Sequence, residues 1–431
     1  MLEIFNSILW STAIVFLIGG GLYFTFKLKF IQLRFISMFK SFKHKSNEKI
    51  SPFSALTMAL AARIGVGSLA GIALAIYTGG PGTIFWIWIS SIITSVNSFS
   101  ESVLGIVYRE KDGDVHKGGP AYYIDKGLKN KTLAKGYALI IIIAYIFGFM
   151  TIQANTIATS ISSYINIKPL TIGIILAVIT AYSILKGVKG IVSLTNKLVP
   201  IMGLVYVFLS IYIVIDNFDQ LVSILSLIMK SAFDIKSFGV GIITTFIIGI
   251  QRGMFSTEAG LGTGAIASST TDSKDAVKIG LTQVLGIYFT SFIVCTATAF
   301  IILTSDYSSL SLTNINGIEI TQYALQYHLN DLGIIILIFS IISFAFSTII
   351  AGYYYGESNL KFLDKNIKNY HIVFLKILTV ILLIIGSVVH ASIIWTIVDV
   401  LVAVMAIINM YAVYSLRNVI KKELEIYNKN A

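Results

Sequence analysis

Hydrophobic residues occur in runs of about twenty along the whole chain, and polar residues are concentrated in the short segments between these runs. A run of this length lets an α-helix cross a hydrocarbon layer about 30 Å thick. The pattern predicts eleven transmembrane helices, at residues 7–27, 54–78, 82–108, 136–160, 169–186, 196–216, 240–268, 277–304, 332–357, 371–389 and 392–415. We therefore expect an all-α polytopic membrane protein.

The composition excludes a soluble globular protein. Of the 431 residues, 56% are hydrophobic and 12% are charged, whereas ordinary soluble proteins carry about 25% charged residues. The single cysteine, Cys295, allows no intramolecular disulfide, and the five histidines have no metal-ligand spacing. No nucleophile with a base at a recognisable spacing and no phosphate-binding loop is present, so an enzyme is the least favoured class.

The basic residues predict the orientation of the chain. If the N-terminus is outside, 26 of the 32 Lys and Arg lie on the cytoplasmic side, three lie outside and three lie within helices. Such an excess marks the cytoplasmic side. We expect a plasma-membrane protein, prokaryotic by default, with its C-terminus inside. The net charge of +11 is therefore explained by orientation in a lipid bilayer, the expected partner, and not by binding to nucleic acid. No obligatory protein partner is evident. An amphipathic segment at 31–42 should lie along the cytoplasmic interface.

Two predicted helices are interrupted by charged residues and glycines. Residues 62–71 read Ala-Arg-Ile-Gly-Val-Gly-Ser-Leu-Ala-Gly, and residues 251–264 read Gln-Arg-Gly-Met-Phe-Ser-Thr-Glu-Ala-Gly-Leu-Gly-Thr-Gly. Charges and irregular backbone at membrane depth face a protein interior or an aqueous cavity. The two helices are five apart in order, so they run in opposite directions, which predicts an inverted five-plus-five repeat of the kind found in secondary transporters.

The repeat divides the chain into three parts. Residues 1–50 form an extra N-terminal transmembrane helix and the cytoplasmic amphipathic helix. Residues 51–216 form the first five-helix repeat, and residues 217–431 form the second repeat with a cytoplasmic tail.

The ends of the interrupted helices predict a binding site. At the first break, amides near 67–69 and carbonyls near 61–64 lack helical partners; amides suit a carboxylate and carbonyls suit a cation. At the second break we expect free carbonyls near 249–251 and free amides from 256 onward. The arrangement predicts binding of a small zwitterion with a monovalent cation. The alternative is that the glycines only let helices pack closely.

The sequence resembles the alanine or glycine:cation symporter family over nearly its whole length. The matching motifs are Arg63 to Gly71, Gly79-Gly80-Pro81-Gly82 with Phe85-Trp86, Glu101 with Tyr108-Arg109, Gly118-Gly119-Pro120 with Tyr122-Tyr123-Ile124, Arg252 to Gly260, and Phe346-Ser347-Thr348 with Tyr353 to Glu357. This resemblance implies sodium-coupled transport of a small amino acid on a LeuT-type fold.

The resemblance also implies particular site residues. The substrate would contact the two breaks and the fourth predicted helix, at Gly65, Val66, Gly67, Ser68, Gln153, Asn155, Phe255, Ser256 and Thr257. The co-transported sodium ion would bind the carbonyls of Ala61 and Ile64 and the hydroxyls of Ser347 and Thr348. Without the resemblance, these adjacent hydroxyls would be expected to bond the preceding helical turn.

The chain departs from the family pattern at both breaks. The family's usual Gly-Thr-Gly-Asn reads Gly65-Val66-Gly67-Ser68, and its Phe-Ser-Asn-Glu reads Phe255-Ser256-Thr257-Glu258. A hydroxyl and two carboxamides are replaced. Because an unpaired buried polar group costs about 1–3 kcal/mol, we expect altered polar contacts with the substrate.

We expect import of sodium and a small neutral amino acid, alanine or glycine, by alternating access. One alternative is proton coupling through Glu258 or Glu101, and another is a transporter-derived sensor that binds an amino acid without moving it. Arg63 and Arg252, together with the two glutamates, could form structural ion pairs or gates. Asp399 is expected to be a structural hydrogen-bonding acid.

Overall fold

The computed structural model describes residues 2–42, 50–113, 115–234, 241–307, 317–364 and 366–430. Within these ranges the chain is helical apart from one short antiparallel hairpin. Five of the basic residues used for the orientation lie outside the described residues: Lys43, Lys45, Lys49, Lys236 and Lys365.

The helices follow the predicted hydrophobic runs. The α-helices are α1 (Leu2–Lys27), α2 (Phe35–Phe42), α3 (Pro52–Arg63), α4 (Ile72–Gly79), α5 (Thr83–Val107), α6 (Pro120–Gly127), α7 (Lys131–Ile142), α8 (Met150–Ile165), α9 (Pro169–Ile184), α10 (Gly187–Asp216), α11 (Leu221–Phe233), α12 (Ile242–Thr257), α13 (Thr263–Ser269), α14 (Ala276–Tyr288), α15 (Thr296–Leu303), α16 (Gly317–Leu363), α17 (Asn369–Val388), α18 (Ala391–Ser415) and α19 (Arg417–Asn430). The π-helical segments are Gly67–Gly71, Ile143–Phe149 and Phe289–Cys295; 3₁₀ turns lie at Ile31–Leu33 and Phe218–Gln220; strands β1 (Glu110–Asp112) and β2 (Val115–Lys117) form the hairpin.

Ordinary sequence signals start several helices. Ser51 caps α3 by accepting the Ser54 amide at 3.2 Å, with Pro52 in the first turn. Asn130 caps α7, and Asp275 caps α14 by accepting the Lys278 amide at 3.0 Å. Such caps satisfy amides that have no partner within the helix. They fix where the chain turns between neighbouring helices.

Length and hydropathy support a polytopic membrane protein. Among the described residues, eight helices are long and apolar enough to cross a membrane, or nine if α3 and α4, bent by 54° at their break, count as one. The count differs from the eleven predicted for two reasons. Helix α9 has only 16 residues, which is about 24 Å at 1.5 Å per residue, and α12 and α13 are separate short helices.

Helix α5 lies at the centre of the molecule and packs against α1, α12, α13 and α14. Its buried face carries many serines, which lets neighbouring helices approach closely. A Cβ added at Gly280 of α14 would lie 2.7 Å from the Phe99 ring, and one added at Gly105 would lie 2.7 Å from the Ala265 carbonyl oxygen. The close contacts on both sides make α5 the element that positions the second break.

The amphipathic α2 has the predicted helical form. Met38 is buried, whereas Phe35, Ile36 and Phe39 are exposed. The preceding turn is attached to α14, because the Tyr288 hydroxyl donates to the Gln32 carbonyl at 2.8 Å. Helix α16 bends at Asn330, whose φ of 52° lies in the left-handed region, so the predicted helix at 332–357 is the part that follows the bend.

The β1–β2 hairpin is attached to the ends of both interrupted helices. The Asp272 carboxylate accepts the Ile50 amide at 3.1 Å and lies 3.3 Å from Nδ1 of His116. Arg109 donates to the Ser273 carbonyl at 2.8 Å. Burial lowers the pKa of the His116 imidazole, with Arg109 adding to this effect and Asp272 opposing it. These contacts join the start of α3 to the segment that follows α13.

Candidate functional site

The first break separates α3 from α4. Helix α3 ends at Arg63, Ile64 leaves the helical conformation with ψ of 77°, and a π-helical turn follows at Gly67–Gly71. Carbonyls in the last turn of α3, which were expected to be free, accept side-chain donors; the Arg63 carbonyl accepts from the Ser68 hydroxyl at 3.4 Å. The amides are only partly free, because Ser68 N–H donates to the Gly65 carbonyl at 3.2 Å.

The hydroxyls of Ser347 and Thr348 point at this break. Both lie near the Ala61 carbonyl oxygen, at 3.2 Å for Ser347 Oγ and 2.9 Å for Thr348 Oγ1. Both also lie within hydrogen-bond distance of the Phe344 carbonyl one turn earlier, at 2.8 and 3.0 Å. A Cβ at Gly65 would lie 2.5 Å from Thr348 Oγ1, so a larger residue there would displace this hydroxyl. Three buried oxygens therefore meet beside the break.

Gln153 and Phe255 cover the same break from two other helices. Gln153 Oε1 accepts the Val66 amide at 3.2 Å. A Cβ at Gly67 would lie 2.6 Å from the Phe255 ring and 3.4 Å from Ser256 Oγ. The structure thus brings residues 65–68, Gln153, Phe255 and Ser256 together at the first break.

Other expected site residues have contacts elsewhere. The Asn155 side chain donates to the carbonyls of Gly386 and Val389, at 3.3 and 2.6 Å, and therefore faces the end of α17. The Thr257 hydroxyl donates to the Gly253 carbonyl at 2.8 Å within its own helix. For Ile64 the structure records only the backbone bond from its amide to Leu60.

The second break begins later than predicted. Helix α12 continues through Thr257, so the carbonyls at 249–251 lie inside an unbroken helix, and the prediction that they are free is wrong. The helix ends because Glu258 adopts a left-handed conformation with φ of 53°. Residues 258–262 form the irregular segment, in which Gly260 and Gly262 also have positive φ. The amides that begin a new helix are those of α13.

Side chains from distant helices satisfy the backbone of this segment. Glu101 Oε2 accepts the Gly262 amide at 2.9 Å, and Asn409 donates to the Gly260 carbonyl at 2.9 Å. The Tyr137 hydroxyl donates to the Leu261 carbonyl. Glu101 and Asn409 also bond each other at 2.9 Å. Non-helical backbone at membrane depth requires such internal partners.

Arg63 and Glu258 are bonded to neutral partners within the described part of the chain. The Arg63 guanidinium contacts Ser98 Oγ at 3.0 Å and the Gln283 carbonyl at 3.4 Å. Glu258 accepts from the Tyr145 hydroxyl at 2.6 Å and from the Thr263 hydroxyl at 2.8 Å.

Gly264 lies between Arg63 and Glu101. A Cβ at Gly264 would lie 2.8 Å from Arg63 Nη2 and 2.7 Å from Glu101 Oε1. Among the described residues, Arg63 and the two glutamates form no direct ion pair.

Arg252 does form an ion pair, but with Asp399. Its Nη2 lies 3.0 Å from Asp399 Oδ2, and both side chains are about one-tenth exposed. The guanidinium also lies over the Trp395 ring, 4.8 Å from its centre. Trp395 contacts Phe255, which stacks on Phe149 at 5.0 Å between ring centres. A continuous layer of aromatic and charged groups therefore lies beside the first break.

The sequence reasoning missed several residues of this region. Tyr145, Phe149, Trp395 and Asn409 were not assigned roles, although each contacts a break or its neighbours. An asparagine in an apolar helix was a usable signal for Asn409, because an unpaired amide there would be costly. The aromatic residues carried no comparable signal.

Known proteins match the whole chain. The model of the sodium:alanine symporter family matches residues 1–431. The amino-acid carrier protein AlsT of Bacillus subtilis strain 168 is 36% identical over 433 residues, covering 100% of this chain and 92% of the relative. The probable sodium/glutamine symporter GlnT of the same organism is 36% identical, with 98% and 89% covered. The sodium/alanine symporter AgcS of Methanococcus maripaludis is 32% identical, with 98% and 96% covered.

The interrupted helices and the polar groups gathered at them, together with these matches, define a polytopic membrane transporter and not an enzyme. The chain belongs to the sodium:alanine symporter family.

The Arg252–Asp399 pair can be tested by a double-mutant cycle. We expect Arg252→Gln or Asp399→Asn alone to destabilise the protein by about 3–5 kcal/mol, because each leaves a nearly buried charge without its partner. The double variant should lose clearly less unfolding free energy than the sum of the losses in the two single variants. Thermal unfolding in one detergent measures this. Additive losses, or stable single variants that lose only transport, would contradict a structural ion pair.

Proposed function

We propose that this protein imports a small neutral amino acid, alanine or glycine, together with sodium by alternating access. One observation carries the proposal: the hydroxyls of Ser347 and Thr348 lie within 3.2 Å of the Ala61 carbonyl at the first break. A hard monovalent cation takes oxygen ligands, and these three oxygens come from two helices that pack against each other. Sodium bound there would hold α3 and α16 together.

The amino acid would bind beside the same break. The amides of residues 65–68 provide donors for its carboxylate, and the carbonyls at the end of α12 provide acceptors for its ammonium group. Gln153 can exchange its bond to the Val66 amide for a bond to the substrate. Phe255 and Gly67 leave little room, which favours a small side chain.

The choice among amino acids is the less constrained part of the proposal. Relatives of nearly equal identity are named for alanine and for glutamine, so the family alone does not select one. Val66, Ser68 and Thr257 differ from the family pattern, but the Thr257 hydroxyl is bonded within α12. We therefore expect Val66 and Ser68 to influence selectivity more than Thr257 does.

The proposed mechanism uses the inverted repeat. The breaks at residues 64–66 and 258–262 lie in predicted transmembrane helices that are five apart in order and would therefore run in opposite directions. This spacing supports a LeuT-type five-plus-five repeat with an extra N-terminal helix and eleven spans in all. In this arrangement the bundle containing both breaks rocks against the rest of the protein. Arg252, Asp399 and Trp395 would form a barrier on one side of the substrate.

Uptake into liposomes tests the proposed function. We expect labelled alanine or glycine to accumulate under an inward sodium gradient and not under potassium. In the variant with Ser347→Ala and Thr348→Ala, the sodium-driven uptake rate should fall at least about tenfold, because two ligands of the ion are removed. Ser340→Ala is the matched control, since among the described residues its buried hydroxyl bonds only the preceding turn of α16, at 2.8 Å.

Each alternative gives a different result in the same assay. Uptake that follows a pH gradient and ignores sodium would contradict sodium coupling and favour proton coupling through Glu258 or Glu101. Amino-acid binding by folded protein without uptake would favour the sensor. Equal loss of uptake in the Ser340→Ala control would contradict a special role for Ser347 and Thr348.

We also propose that the N-terminus lies outside and the C-terminus in the cytoplasm of a prokaryotic cell. Lys168 and Lys131 are both exposed residues next to helix starts, so they form a matched pair. In a Cys295→Ala background, we expect an impermeant maleimide to label Lys168→Cys in intact cells and Lys131→Cys only after permeabilisation. The reverse pattern would contradict the proposed orientation.

A further inference from the structure

Two apolar grooves lie side by side on the outer surface of α14 and the π-helical segment Phe289–Cys295. The α2 groove, of about 540 Å³, lies between this element and α2, where Phe35 and Phe39 line it. The α10 groove, of about 380 Å³, lies between the same element and α10, where Pro200 and Leu204 line it.

The two grooves share one wall. Leu285, Phe289 and Ile293 line both, so they form a ridge between two parallel slots. The ridge extends over nine residues, from Leu285 to Ile293, or about 12 Å along the helix axis, which is close to the depth of one leaflet of the hydrocarbon core. Two flexible acyl chains joined at one end fit this shape, whereas a single helix of another protein would collide with the ridge and could not fill both grooves.

Basic residues neighbour the groove-lining residues in the chain. Arg34 precedes Phe35, and its guanidinium donates to Asn428 Oδ1 at 3.0 Å. Lys40 follows Phe39 in α2. Lys197 lies three residues before Pro200 and seven before Leu204, on the same face of α10. Lys278 is paired with Asp275 at 3.0 Å and adds no net charge there.

Contacts of the helices relate the three basic residues to the two grooves. The Asn196 side chain donates to Ser54 Oγ at 2.9 Å, which places the Lys197 end of α10 at the start of α3. Helix α2 packs on both α14 and α3, and Phe35 lies beside Tyr288 of α14. The basic residues therefore lie in, or directly before, the two helices that enclose the grooves on either side of α14.

We propose that an anionic phospholipid straddles α14, with one acyl chain in each groove and its headgroup between Arg34, Lys40 and Lys197. Basic residues near the membrane surface attract anionic headgroups. The acyl chains supply the apolar contacts that Phe35, Phe39 and Leu204, which are largely exposed, otherwise lack.

The bound lipid would contact the element that supports the first break. In α15, which directly follows this element, the Thr298 hydroxyl donates to the Ser68 carbonyl at 2.8 Å. The Cys295 thiol lies beside the hydroxyls of Ser68 and Ser256. Phe289 and Ile293, on the outer side, belong to the same π-helical segment. Binding of the lipid would therefore change the positions of residues that contact the first break.

Native mass spectrometry with titrated lipid tests the proposal on the purified full chain. The probes are phosphatidylglycerol and phosphatidylcholine with identical acyl chains. We expect phosphatidylglycerol to bind at least about tenfold more tightly. The triple variant Arg34→Gln, Lys40→Gln and Lys197→Gln should lose about tenfold or more of that affinity, since it removes the headgroup contacts.

A matched triple variant serves as the control. Lys131→Gln, Lys135→Gln and Lys422→Gln remove the same charge from exposed positions away from the grooves and should change the affinity less than about twofold. Equal binding of both lipids by the natural protein, or equal losses in the two triple variants, would overturn the proposal.

A third variant tests the groove itself. A Cβ at Gly203 has ordinary contact with the Phe289 ring, at 3.5 Å, so the remaining atoms of Gly203→Leu would enter the α10 groove. We expect this variant to bind both lipids more weakly, by a similar factor. An unchanged affinity for phosphatidylglycerol would contradict an acyl chain in this groove. Soluble glycerol phosphate should not compete, because it has no acyl chains. These binding measurements are independent of the proposed transport activity.

Discussion

The architecture depends on satisfying the polar backbone of two interrupted helices inside a protein that lipid surrounds. An unsatisfied amide or carbonyl at membrane depth costs several kcal/mol. At residues 258–262, Glu101, Asn409 and Tyr137 provide partners from three different helices. The close packing of α5 holds Glu101 in place. Without these contacts the irregular segment could not persist, and α13 would have no fixed start.

The two breaks are satisfied in different ways. The second is bonded mainly by side chains that also bond each other, which makes it a rigid support. The first is bonded by Gln153, Ser347, Thr348 and Thr298, whose hydroxyls and carboxamide can exchange a protein partner for a ligand. We therefore interpret the second break as a rigid support, and the first, whose partners can be exchanged for a ligand, as the more adaptable of the two.

Local sequence was sufficient for the helices and for the existence of both breaks. Hydrophobic runs of about twenty residues, and glycines beside charges within two of them, are signals that a single segment carries. The family resemblance supplied the meeting of Ser347 and Thr348 with Ala61, which no local pattern contains. Glycine at residue 65 is compatible with this contact, but glycine alone would not have predicted it.

The rest depends on partners far apart in the chain. Helix α12 continues to Thr257 because Glu258 can turn left-handed where Tyr145 and Thr263 bind its carboxylate. The partner of Arg252 lies 147 residues away, and Asn155 faces the end of α17 instead of the first break. The sequence contains these residues, but their pairing follows from helix packing that hydrophobic patterns do not specify.

Sodium-dependent stabilisation tests the central claim most directly, because it requires the cation site and no transport. The midpoint of thermal unfolding of the purified protein would be measured in sodium chloride, and in potassium chloride of equal ionic strength. A ligand at one hundred times its dissociation constant stabilises the native state by about 2.7 kcal/mol. We predict a higher midpoint in sodium for the natural protein and no difference for Thr348→Ala. Equal midpoints in saturating sodium and potassium for the natural protein would contradict a sodium site at the first break.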